Sequence, residues 1–175
     1  MIQNCLNCAH YRLKGVLLCF YGSMLIALFA QISVPVSPVP FTLQTLAFLL
    51  VARQFGPKHG ACAALLYLTE GICGIPVFAN FSSGVSVLLS PSGGYLLGAV
   101  PAIFLTGILI QRMKNKKFVS IFLAGLSGEI VVFLWGYLRL SNFVGFYDAY
   151  LLGVAPFLFT DLLKLTVFSL YAREK

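Results

Sequence analysis

The chain has 175 residues, of which 59% are hydrophobic and only 10% are charged. Soluble domains contain about 45–50% apolar and about 25% charged residues, so this composition excludes a soluble enzyme, a disordered protein and a nucleic-acid-binding domain. A chain this short cannot bury so much apolar surface in its own core. We therefore predict an integral membrane protein in the lipid bilayer, with most of its net charge of +7 in segments between the membrane helices.

Six apolar runs follow one another along the chain. Residues 1–14 are polar and form a predicted cytoplasmic N-terminal segment, and residues 15–175 form a single predicted six-helix membrane domain. The first run has the basic flank of a signal peptide, but the five later runs favour a membrane helix. The runs cover residues 15–33, 42–55, 57–73, 94–110, 118–140 and 149–171.

Two stretches between the runs are predicted to be irregular. VPVSPVPF, residues 34–41, has three prolines, which favour an extended backbone. The run at 42–55 gives about 21 Å of helix against a hydrocarbon core of about 30 Å. The Pro-rich stretch must make up the difference, and irregular backbone at that depth lines a cavity or is buried in protein. Residues 74–93 form an uncharged loop of a length typical of lids and re-entrant segments.

The basic residues predict the orientation in the membrane. In a six-span arrangement, both termini and the loops near residues 53–59 and 111–117 lie on one side. Ten of the 12 Lys and Arg residues belong to that side: Arg12, Lys14, Arg53, Lys58, Arg112, Lys114, Lys116, Lys117, Arg173 and Lys175. Only Arg139 lies near the other side. Because cytoplasmic loops are enriched in basic residues, we predict an all-α bundle of six transmembrane helices with both termini cytoplasmic.

Three ionisable residues lie inside the predicted spans. Asp161 and Lys164 are three residues apart, which places them on one face of the sixth helix. Membrane-buried charges are costly and are functional candidates, so a ligand site is favoured over the alternative, a structural ion pair. Glu129 of the fifth run has either a site role or a packing role. Pro156 predicts a kink or a helix start just before Asp161.

Several familiar signals of chemistry are missing from the sequence. There is no phosphate-binding loop motif, so the chain does not hydrolyse ATP by that route. No metalloprotease or nucleophile-elbow motif occurs, and we predict no catalytic residues and no cofactor. Cys5, Cys8 and His10 are closely spaced but lack the fourth ligand of a tetrahedral zinc site, so no metal site is predicted.

Four ordered motifs, together with the Gly56-Pro57 break, resemble one family. They are VPVSPVPFTLQTLAFLL at 34–50, GICGIPVFANFSSG at 71–84, SPSGGYLLG at 90–98 and LGVAPFLFTDLLK at 152–164. The chain resembles the BioY family, the biotin-binding S components of energy-coupling factor (ECF) vitamin transporters. The resemblance runs from about residue 20 to the end of the chain.

The resemblance implies a multi-pass, six-helix S component in the bacterial cytoplasmic membrane. Its function would be high-affinity binding and uptake of biotin, and its partners would be a coupling membrane protein and two ATPase subunits. The Pro-rich stretch and residues 74–93 would roof a pocket near the outer face. The implied substrate-binding residues are Asp161, Lys164, Asn80, Tyr95, Gln44 and Phe78. A carboxylate and an ammonium suit the two N–H donors and the carbonyl of a ureido ring.

The sequence departs from the family at several positions. Ser90-Pro91-Ser92 stands where Gly-Pro-Thr is usual, and Thr160 stands where Gly is usual. No basic residue lies in the outer loops, so Asn80, serines or backbone N–H groups are left to meet a biotin carboxylate. Three alternatives stay open: the same fold binding another vitamin or small carboxylate, an intramembrane enzyme using Asp161, Lys164 and Glu129, and an assembly protein without a ligand.

Overall fold

The computed structural model describes residues 2–114 and 117–173, with the backbone alone for residues 2–12. The side chains of Cys5, Cys8 and His10 lie outside the described residues, as do those of three basic residues in the orientation argument, Arg12, Lys116 and Lys175. Within the described ranges the chain is helical except for a short two-stranded ribbon and the connecting loops.

The described elements follow this order. The helices are α1 Ile2–Gln31, α2 Gln44–Ile72, α3 Val85–Leu89, α4 Gly93–Arg112, α5 Phe118–Val144, α6 Phe146–Gly153 and α7 Ala155–Arg173. The strands β1 Ser33–Val34 and β2 Phe41–Thr42 pair antiparallel, and the Pro-rich stretch connects them. Four segments are long and apolar enough to cross a membrane: Leu13–Gln31, Gly93–Arg112, Phe118–Val144 and Phe146–Arg173.

Helix α2 is bent back on itself at Gly56-Pro57. Gly56 has a φ of 73° and a ψ of −177°, which interrupts the helix, and a positive φ favours glycine. The Gln44 amide donates a hydrogen bond of 3.1 Å to the Tyr67 hydroxyl, although 23 residues separate them. A straight helix would hold these residues about 35 Å apart. Residues 44–55 and 57–72 therefore pack antiparallel, and the break predicted at Gly56-Pro57 is confirmed.

Small residues bring the helices close together around the core. Ala47, Ala64 and Ala99 are buried where α1, α2 and α4 meet. A Cβ at Gly128 of α5 would lie 2.1 Å from the Thr106 hydroxyl oxygen of α4, so only glycine permits this approach. Large apolar side chains such as Phe159 point outward and are exposed, as expected for surfaces that face lipid.

The ends of the predicted runs differ in detail from the observed helices. Helix α1 begins at Ile2 and continues through residue 14, since polar residues are compatible with helix outside the apolar window. Helix α7 begins at Ala155, which places Pro156 in its first turn, where a missing N–H leaves no hydrogen bond unmade. Of the two alternatives for Pro156, the helix start is therefore observed. The loop at 74–93 contains a 3-10 turn, Ala79–Phe81, and α3.

Candidate ligand-binding site

A cavity of about 370 Å³ lies between α2, α4, α5 and α7, next to the Pro-rich ribbon and the loop that carries α3. Its volume falls within the range of small-molecule sites, about 300–1,000 Å³. Six side chains singled out in the sequence line this one cavity: Asp161, Lys164, Asn80, Tyr95, Gln44 and Phe78. The structure thus brings them together, and their contact with a ligand stays a prediction.

Asp161 and Lys164 form an ion pair on the cavity wall. Lys164 Nζ lies 2.6 Å from Asp161 Oδ1, and the two side chains are 11% and 3% exposed, respectively. The ammonium also donates to the Thr42 carbonyl at 2.6 Å and to Thr45 Oγ1 at 3.1 Å. Thr45 in turn donates to Asp161 Oδ1 at 3.3 Å. The charges are therefore paired and hydrogen-bonded, which is the condition for burying them.

Aromatic side chains form the apolar part of the wall. Phe78 is buried and packs edge-on against Tyr67 of α2, with ring centroids 5.4 Å apart. Phe133 of α5 lies between Tyr95 and Phe157, with ring centroids 6.3 Å and 6.4 Å away. The Tyr95 hydroxyl donates to the Gly153 carbonyl at 2.8 Å, which ties α4 to the end of α6. Flat, rigid side chains of this kind suit a compact ring system.

The loop over the cavity is fixed to the end of α1 by Gln31. The Gln31 amide nitrogen donates to the carbonyls of Val77 and Phe78, each at 3.1 Å, and its oxygen accepts from the Phe81 N–H at 3.0 Å. Asn80, in the same loop, has a φ of 57°, a conformation that Asn tolerates better than most residues. Its Oδ1 accepts from the Ser33 hydroxyl at 2.9 Å, and within the described residues no acceptor is bonded to its amide N–H groups.

Four serines line the part of the cavity formed by the loop and the start of α4: Ser82, Ser86, Ser90 and Ser92. The Ser90 and Ser92 hydroxyl oxygens lie 3.0 Å apart. Ser82 and Ser90 donate to the carbonyls of Ala79 and Val87 at 2.7 Å and 2.6 Å, so Ser92 is the donor in the Ser90–Ser92 pair. Ser86 is the serine whose hydroxyl is left as a neutral donor among the described residues, and Lys164 is the one basic residue among those that line the cavity. Arg139 does not line it; its guanidinium donates to the Leu89 carbonyl at 2.5 Å.

Glu129 lies behind this site rather than in it. It is 5% exposed and lines a separate small cavity, which shares Thr45, Phe48 and Val132 with the main one. Within the described part of the chain, its Oε1 has no hydrogen-bond partner. The sequence predicts that Glu129 lies within the membrane, but it does not tell whether the side chain lines the main cavity or lies behind its wall.

We expect Glu129→Met to raise the unfolding temperature of the detergent-solubilised protein by about 2–12 °C. Removing a buried oxygen without a partner saves a desolvation cost of about 1–3 kcal/mol, and Met nearly preserves the volume. Thermal unfolding followed by intrinsic fluorescence measures the shift. Glu70→Met is the matched control, because the Glu70 carboxylate accepts a hydrogen bond from the buried Ser23 hydroxyl and its loss should lower the temperature. If the unfolding temperature falls for both variants, the Glu129 carboxylate is not an unpaired buried group and the prediction is wrong.

Residues missed at the sequence level complete the site. Thr45, the Thr42 carbonyl, Phe133 and Phe157 lie on the cavity, and Gln31 holds the loop above it. Thr45 immediately follows Gln44 in one of the family motifs, but nothing in its local sequence marks it as a partner of α7. Among the described residues, no group of three or more His, Cys, Asp or Glu side chains could hold a metal ion.

A cavity enclosed by apolar helices and carrying a buried ion pair is typical of a membrane protein that binds a small substrate. The fold matches the crystal structure at 2.1 Å of the S-component for biotin from an ECF-type ABC transporter, with a TM-score of 0.84, 22% sequence identity, and coverage of 94% of this chain and 92% of that one. The chain therefore has the fold of an ECF S component.

The sequence identifies the family. It matches the BioY family over residues 3–175, and the chain belongs to that family. The probable biotin transporter BioY of Pyrococcus horikoshii is 41% identical over 77% of this chain and 79% of its own length. The biotin transporter BioY of Thermotoga maritima is 39% identical over 85% of this chain and 87% of its own length. The biotin transporter BioY2 of Lactococcus lactis is 35% identical over 91% of this chain and 90% of its own length. These relatives are named as transporters, not as enzymes.

Proposed function

We propose that this chain is the biotin-binding S component of an ECF transporter and takes part in biotin uptake. The observation that carries the proposal is the buried Asp161–Lys164 pair on the wall of a cavity of small-molecule size, in a member of the BioY family. In the described part of the chain, hydrogen bonds reach only one oxygen of the Asp161 carboxylate, so the other oxygen can accept from a ligand. This favours a binding role over a purely structural ion pair.

The cavity offers a partner for each part of biotin. One ureido N–H donates to the Asp161 carboxylate, which is a stronger acceptor than a neutral group. The fused rings pack against Phe133 and Phe157, and the valeryl chain runs along the apolar wall. The carboxylate is bound by neutral donors, namely the Asn80 amide and the Ser86 hydroxyl. Binding and release, rather than bond chemistry, is the task of this site.

Six membrane crossings account best for the helices. Four segments are each long enough to span, and the two antiparallel halves of α2, 44–55 and 57–72, supply two shorter crossings, with the Pro-rich ribbon extending the first. This even number places residues 1–14 and the C-terminus together on the cytoplasmic side, in accord with the basic residues. We place the protein in the bacterial cytoplasmic membrane. Its proposed partners are a coupling membrane protein and two ATPase subunits, because its own sequence carries no phosphate-binding loop for ATP hydrolysis.

A second candidate ligand is another vitamin or small carboxylate held in the same cavity. Ser90 and Ser92 favour it, because both line the cavity at positions where the family usually has other residues. Neither an intramembrane enzyme nor a ligand-free assembly protein is favoured by an observation on the site.

Isothermal titration of the purified, detergent-solubilised protein with biotin tests the proposal. We expect saturable binding, with lipoate at least about 100-fold weaker, because lipoate has the same carboxylated chain but no ureido group for Asp161. Riboflavin and thiamine serve as further competitors. Failure of folded protein to bind biotin, or equal affinity for biotin and lipoate, would contradict the proposal, and displacement by another vitamin would favour the second candidate.

A further inference from the structure

The three polar side chains at the buried end of the cavity form a closed triangle. Lys164 donates to Asp161 Oδ1 and to Thr45 Oγ1, and Thr45 donates to the same Oδ1. Thr45 lies in the first turn of α2 and the other two residues on α7, so the triangle links two helices across 116 residues of sequence. Each member orients the other two.

All three N–H donors of the Lys164 ammonium are used within the protein. An ammonium has three donors, and these reach Asp161 Oδ1 at 2.6 Å, the Thr42 carbonyl at 2.6 Å and Thr45 Oγ1 at 3.1 Å. A ligand could take one of them only by breaking a bond already made. Lys164 therefore holds Asp161 and Thr45 in a fixed arrangement on the cavity wall.

The two carboxylate oxygens of Asp161 are in different situations. Oδ1 accepts from both Lys164 and Thr45, whereas no hydrogen bond in the described part of the chain reaches Oδ2. Asp161 lines the cavity, so Oδ2 is the oxygen left for a ligand. The direction in which Oδ2 faces depends on how Oδ1 is held, and Thr45 is the group on the opposite helix that holds it.

We infer that Thr45 is a positioning residue that sets ureido specificity: its hydroxyl, together with Lys164, fixes Asp161 Oδ1 so that Oδ2 meets one N–H donor of the ligand ring. The inference rests on the proposed biotin-binding function. Thr45 contributes no apolar contact that Val would lose, because valine has nearly the same shape. What Thr45→Val removes is the hydroxyl that accepts from Lys164 and donates to Asp161.

The test compares biotin with the two biotin analogues that carry a methyl group on one ureido nitrogen. Wild-type protein should prefer biotin strongly over at least one analogue, because the methyl group replaces an N–H donor. Thr45→Val should weaken biotin binding about tenfold and reduce the ratio of biotin affinity to analogue affinity by a similar factor. The reason is that a misdirected carboxylate forms a weaker hydrogen bond with the N–H group that the analogue lacks. Thr45→Ser keeps the hydroxyl and should stay within about threefold of wild type. Thr69→Val is the matched control, since Thr69 is exposed and its hydroxyl donates to the Leu65 carbonyl of the same helix.

Each outcome of the titrations decides one point. If Thr45→Val weakens biotin and both analogues by the same factor, or if Thr45→Ser fails to restore affinity, Thr45 is only structural and the inference is overturned. Unchanged affinity in Thr45→Val also overturns it. Thr45→Ala provides the same comparison if the valine variant does not fold. Absence of biotin binding by wild-type protein would instead contradict the proposed function, so the two failures are distinguishable.

Discussion

Asp161→Asn is expected to weaken biotin binding by at least about 100-fold. The substitution replaces the charged acceptor of a ureido N–H group with an amide, and it leaves the Lys164 ammonium buried without its counter-ion. Removing one partner of a buried ion pair costs about 3–5 kcal/mol, and hydrogen bonds to charged groups contribute about 1.5–3 kcal/mol each. Isothermal titration with biotin measures the loss of affinity, and thermal unfolding of the same sample measures the loss of stability.

Two further variants separate binding from folding. Asp148→Asn makes the same chemical change at an exposed residue in the first turn of α6, and it should leave both quantities unchanged. The double variant Asp161→Asn/Lys164→Met removes the unpaired ammonium as well. It should recover much of the lost stability without recovering affinity. Wild-type affinity in either variant that lacks the Asp161 carboxylate would remove Asp161 from the site.

The backbone features that the sequence predicted are those with a local cause. Three prolines between residues 34 and 41 preclude a helix, and the chain there connects two short strands. Gly56-Pro57 combines a residue that adopts positive φ with one that lacks an N–H group, and the helix breaks there. The spacing of Asp161 and Lys164 fixes them on one helical face, and the ion pair of 2.6 Å follows from that spacing.

The missed features depend on contacts between segments far apart in sequence. Thr45 meets Lys164 across 119 residues, and Gln31 holds the loop 46 and 47 residues later. No periodicity or composition encodes such pairs. Phe133 and Phe157 resemble any other aromatic residues in apolar helices, and only the packing of α5 against α7 brings them to the cavity. The role of Glu129 does not follow from the sequence for the same reason. Its depth in the membrane does not say which helices and cavities its side chain faces.

The second large effect is expected from adding one methyl group at Gly71. A Cβ there would lie 2.0 Å from Phe78 Cζ, much closer than van der Waals contact. The Phe78 side chain is only 1% exposed and packs against the Tyr67 ring, so it has little room to move. The Gly71 carbonyl also accepts from the Gly84 N–H at 2.7 Å, which fastens the far end of the loop. The Phe78 ring must therefore leave its place, and the wall and roof of the cavity move with it.

Gly71→Ala should weaken biotin binding by about 30-fold or more and destabilise the fold by about 1–3 kcal/mol, the usual range for overpacking. Isothermal titration and thermal unfolding give the two quantities. Gly15→Ala controls for the added methyl group on a helix, because its Cβ would meet only the end of the His59 side chain, at 3.3 Å. The double variant Gly71→Ala/Phe78→Leu relieves the overlap and should bind biotin as Phe78→Leu does. Because the two changes share one contact, their effects should be strongly non-additive. Simple additivity would mean that Gly71 and the Phe78 ring act on the cavity independently.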